Sequence, residues 1–97
     1  MFNHISEEEM KIQRALGVAT YVKIVREDIS LELFLQSYPL FNGCSYNPKI
    51  LNNRLGKYAV LLDRGPHGTF KGSYVRLLKS LEDDFQFFVR EEDFEII

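Results

Sequence analysis

Residues 56–97 read GKYAVLLDRGPHGTFKGSYVRLLKSLEDDFQFFVREEDFEII, and the fold turns on how this stretch is divided. Tyr58 to Leu62 is a short apolar run bounded by glycine and aspartate, which predicts a strand. Arg64 to Gly72 holds Gly65, Gly68, Gly72 and Pro66 and reads as a loop. Ser73 to Leu81 predicts a second strand, Glu82-Asp83-Asp84 a tight turn, and Phe85 to Val89 a third strand. Phe94, Ile96 and Ile97 predict a last short one. Strand, glycine-rich loop, strand, turn, strand, strand is the order of a strongly bent antiparallel sheet or small barrel, so residues 56–97 are expected to be entirely β.

Upstream, Ser6 and Glu9 have capping-box spacing, and Ile5 with Met10 has that of a hydrophobic staple. They predict a helix over 7–16 that opens on Glu7, Glu8 and Glu9 and stops at Gly17, with Ile12, Ala15 and Leu16 facing inward. The β-branched run from Val18 predicts a strand over 18–25; a continued helix would carry Gly17 in its interior. Residues 29–38 fit two periods. Leu31, Phe34, Leu35 and Tyr38 have helical spacing, while Ile29, Leu31, Leu33 and Leu35 alternate as in a strand; a short helix stopped by Pro39 is preferred. Pro, Asn, Gly and Ser make 39–53 a long loop. The expected fold is a single α+β domain over 1–97, an N-terminal helix with a bent antiparallel sheet or small SH3-like barrel.

The stretch from Gly56 through Val60 and Leu62 to Gly65, Pro66, Gly68, Gly72 and Val75 resembles the KOW-type element of SH3-like barrels. The run Phe88-Val89-Arg90-Glu91-Glu92-Asp93-Phe94-Glu95 is similar to the closing segment of many such barrels. The resemblance implies a scaffold that often binds RNA, DNA or proteins, and it assigns no function by itself. The helix and long loop of the N-terminal half stand outside it.

With 97 residues, 45% apolar and 27% charged, the chain has material for a thin core and no reason to be disordered as a whole. Met1 to Ile5 leads straight into three glutamates, unlike a secretory signal, and no run approaches the roughly 20 apolar residues of a membrane span. One cysteine, Cys44, favours a reducing compartment, so a cytoplasmic address and no membrane partner are expected. The net charge of −2 conceals blocks. Residues 49–79 carry seven cations against Asp63 alone, whereas residues 80–97 carry seven acids against Arg90 alone.

Five readings of these residues compete. Lys57, Tyr58, Arg64, Lys71, Tyr74 and Arg76 have the cation-and-aromatic composition of a nucleic-acid face, against which stands pairing of the cations with Glu82, Asp83, Asp84, Glu91 and Glu92. Loop 64–72 lacks the Gly-Lys-Ser/Thr triplet of a phosphate loop, and its glycines are more simply explained by positive φ angles. Cys44 with His4 or His67 has no spacing that makes a thiol–base pair, and one Cys with two His falls short of a zinc pattern. Phe85 and Phe87 lie on one strand face and Phe88 on the other, so either the chain covers the second face or a partner does. Tyr38, Phe41 and Tyr46 in the long loop, with Phe88, are the candidate anchors for another protein or a second copy. The expectation is a non-enzymatic protein-interaction module without cofactor, catalytic residue or metal, with nucleic-acid binding as the alternative.

Overall fold

The computed structural model describes residues 5–26, 31 and 54–97. The helix α1 (Glu7–Ala15) starts where the cap predicts: Glu9 N–H donates to the Ser6 hydroxyl at 3.2 Å. It ends in a Schellman arrangement, with Gly17 at φ +73°, Gly17 N–H bonded to the Arg14 carbonyl and Val18 N–H to that of Gln13. Val18 is consumed by that cap, so the strand expected over 18–25 forms only at β1 (Tyr21–Ile24).

The expected inward face of the helix is overturned. Met10 is buried, while Ile12 is 58% and Leu16 72% exposed and Ala15 is also exposed. At 100° per residue, positions 7, 10 and 13 fall on one side and 12 and 16 on the opposite side. Two tyrosines decide which side docks: Gln13 accepts from the Tyr21 hydroxyl at 2.7 Å, and Glu7 accepts from that of Tyr58.

Five further strands follow: β2 (Tyr58–Leu61), β3 (Thr69–Phe70), β4 (Ser73–Ser80), β5 (Gln86–Arg90) and β6 (Phe94–Ile96), with a 3-10 turn at Glu91–Asp93. All pairings are antiparallel, and the main path runs β5-β4-β2-β1-β6, with β3 beside the start of β4. The two outermost strands are consecutive in sequence. Laid flat, they would be roughly 19 Å apart at ordinary strand spacing, whereas the four Cα steps from Arg90 to Phe94 reach only about 14 Å. The sheet therefore curls into a half-barrel, and the α+β class holds.

Strand alternation divides the apolar residues between two layers. Val22, Ile24, Ala59, Leu78, Phe87, Val89 and Phe94 fill the concave interior, with Leu61 and Phe85 against them. On the convex side, Leu31, Val75 and Phe88 form a second cluster flanked by Phe70 and Leu77. Both faces of β5 are thus covered, as a strand with rings on each side requires. Among the described residues, Leu31 clusters with Phe88 on this side.

The loop expected over 64–72 contains β3. Lys71 and Gly72 connect it to β4 as a two-residue turn, both with positive φ, at 51° and 79°. This is the signature of the primed turns whose twist suits a hairpin. The short helix preferred for 29–38 and the long loop over 39–53 lie outside the described residues, apart from Leu31.

Candidate functional site

Three cations of residues 49–79 meet acids of residues 80–97. Arg54 forks onto Asp83, Nη1 to Oδ1 at 3.0 Å and Nη2 to Oδ2 at 2.8 Å, and also donates to the Ser80 hydroxyl. Its guanidinium lies 5.5 Å from the ring centres of Phe85 and Phe87. The fork holds the Asp83 carboxyl below its usual range, since the Arg54 hydrogen bonds favour the ionised form against the opposing effect of burial. Lys57 pairs with Glu82.

Arg76 occupies an inward-facing position of β4. It donates from Nε to Asp63 at 2.8 Å and from Nη1 to Glu91 at 2.9 Å. Asp63 also accepts from the Leu77 N–H at 2.9 Å and lies 3.3 Å from His67 Nε2. A guanidinium left only 16% exposed would be costly without such partners, so this triad is what permits arginine inside the curl. Arg90 binds Asp93 through Nε and Nη2 at 3.1 and 3.2 Å.

Of the six residues expected at a nucleic-acid face, Lys57 and Arg76 are therefore engaged with carboxylates, and Tyr58 is bonded to Glu7. That bond raises the Tyr58 pKa, because Glu7 accepts from the protonated phenol and its negative charge opposes ionisation. Arg64 is exposed in the loop after β2, and Lys71 and Tyr74 are exposed on the β3–β4 hairpin, where Lys71 Nζ sits 5.4 Å from the Phe70 ring centre. Of the residues expected to anchor a partner, Phe88 is a correction: at 4% exposure it belongs to the convex-side core, with His67 edge-on to its ring at 5.3 Å. Tyr38, Phe41 and Tyr46 lie outside the described residues, as do Cys44 and His4. Among the described residues no three His, Cys, Asp or Glu side chains converge as metal ligands, and no helix is long and apolar enough to cross a membrane.

Two features escaped the reading of the sequence. One is exposed apolar surface at Ile12, Leu16 and Val18, on and just beyond α1. The other is a half-open cavity of about 320 Å³ at one end of the half-barrel, lined by Leu61, Arg76, Glu91, Phe94 and Ile96. The inward alternation of β4 could have signalled the second, since it sets Arg76 in line with Leu78. Its other walls come from strands brought together only by the curl. No family model, curated protein or solved structure matches this chain.

Proposed function

We propose that this chain is a small non-enzymatic module that binds another protein, built on a barrel of the SH3-like type. The strand order β5-β4-β2-β1-β6, with a 3-10 turn joining its two ends, supports that type. The KOW-type element rests on the glycine-punctuated passage from β2 to β4. The observation that carries the function is exposed apolar surface: Ile12 and Leu16 project from one side of α1 and Val18 follows just past its cap, all more than half exposed. Large apolar side chains set side by side in solvent favour association with an apolar surface.

Nucleic-acid binding is the second reading, favoured by Lys71 and Tyr74 standing exposed on one hairpin and Arg64 exposed in the loop before it. It is weakened by the pairing of Lys57 and Arg76 with acids, since a paired cation brings less net attraction to a phosphate. One experiment separates the two. Partners crosslinked in the native host are compared between the unaltered protein and an Ile12→Glu/Leu16→Glu variant whose fold is checked by circular dichroism. The protein-binding reading expects a defined protein partner that the variant loses. Nucleic-acid binding in a titration, with a steep salt dependence abolished by Arg64→Glu/Lys71→Glu, would reverse the order.

A further inference from the structure

The interior of the half-barrel is packed at one end and open at the other. Following the alternation inward, the filled positions Ala59, Leu78 and Phe87 give way to Leu61, Arg76 and Ile96 at the opposite end, where the cavity lies. Its floor is apolar, from Leu61, Phe94 and Ile96. Ile96 is half exposed, so the apolar surface reaches the rim.

The charged wall is held in place on both sides. Arg76 grips Asp63 in the loop after β2 and Glu91 in the 3-10 turn, so the cavity walls are tied by hydrogen bonds before any ligand arrives. Two carboxylates face one guanidinium. Asp63 is buried and occupied by Arg76 and the Leu77 N–H, whereas the Glu91 side chain is 39% exposed. The opening therefore presents an apolar floor beside a carboxylate that is more exposed than the guanidinium it pairs with.

We infer that this barrel end receives a single lysine side chain of a partner protein, the methylene stem lying on Leu61, Phe94 and Ile96 and the ammonium reaching Glu91. Lysine is the side chain that joins an apolar stem to a cationic head, and burying the one while pairing the other satisfies both. The volume agrees, standing at the low end of ligand pockets, roughly 300–1,000 Å³, enough for one long side chain and its adjoining backbone. The site is separate from the α1 surface and stands or falls without it.

The test is a methyl and backbone NMR titration with acetyl-Gly-Gly-Lys-Gly-Gly-amide and with the same peptide carrying norleucine, which keeps the stem and removes the charge. The expected result is saturable shifts at the Leu61 and Ile96 methyls with a Kd on the order of 1 mM. The norleucine peptide should bind roughly fivefold more weakly, as should the lysine peptide to Glu91→Gln. Because Glu91→Gln also loosens Arg76, Ile96→Ser serves as the second variant. It leaves every ion pair intact and should weaken both peptides. Equal binding of the two peptides, no methyl shifts at the highest lysine-peptide concentration, or unchanged binding to Ile96→Ser overturns the inference.

Discussion

Arg54 and Asp83 show how one pair can serve two layers of the structure. The fork between them fastens the β4–β5 turn, and the guanidinium lies against Phe85 and Phe87 at the closed end of the interior. Asp83 also accepts from the Phe85 N–H, so its charge holds the turn as well as the arginine. Because its pKa is lowered in the folded chain, the ionised carboxylate stabilises the fold. That contribution is complete above the unfolded value of about 3.9 and is lost as pH falls through the lower folded value. Stability of the unaltered protein and of Asp83→Asn, measured by urea unfolding from pH 7 downward, should differ at neutral pH and converge below pH 4. A constant difference would mean that the Asp83 charge contributes nothing. The effect is modest, since half of the Asp83 side chain is exposed and water screens the pair.

At the level of elements, what the sequence made legible is what local chemistry specifies. The Ser6 cap, the stop at Gly17 and the boundaries of β2, β4 and β5 depend on neighbours a few residues away, and each lies within a residue or two of its expected place. The docking side of α1 was not legible, because Ile12 and Leu16 form the more obvious apolar face while Met10 and the polar Glu7 and Gln13 make the actual contact. Nor was β3: two residues are too few to show alternation, and Lys71-Gly72 lacks the asparagine or aspartate that usually marks a two-residue turn. Gly72 nonetheless eases that turn. A Cβ there would meet nothing within 4 Å, so the cost of Gly72→Ala is conformational, about 1 kcal/mol for an L-residue at positive φ. The melting temperature should fall with Gly72→Ala and recover with D-alanine installed by chemical synthesis, whose preferred φ is positive. If D-alanine fails to recover it, the turn is not what the glycine serves.

The candidate site belongs to the whole molecule, which is why so little of it could be read from the chain. Leu61 and Ile96 are 35 positions apart in sequence and become neighbours only because β1 pairs with β2 on one edge and β6 on the other. Closure of the curl is concentrated at Asp93. Its carboxylate is bound by Arg90 and approached by Arg26, while its carbonyl accepts from the Val25 and Arg26 N–H groups just after β1. One buried residue thus joins the end of β5, the start of β6 and the exit of β1. Asp93→Asn keeps the side-chain shape and the carbonyl contacts but removes the charge facing Arg90, whose side chain is only 10% exposed. Glu92 remains 3.7 Å from Arg90 after the change, so the loss is that of the charge-assisted bonds to Asp93, about 1–3 kcal/mol. The loss should be felt first where the sheet is joined over the longest span of chain. Amide exchange of Val25, Arg26 and Ile97, which bond across that junction or from the chain end onto β1, should accelerate ahead of the β4–β5 amides. Uniform acceleration over all strands would instead make the half-barrel one cooperative unit, with Asp93 stabilising it globally rather than holding its seam.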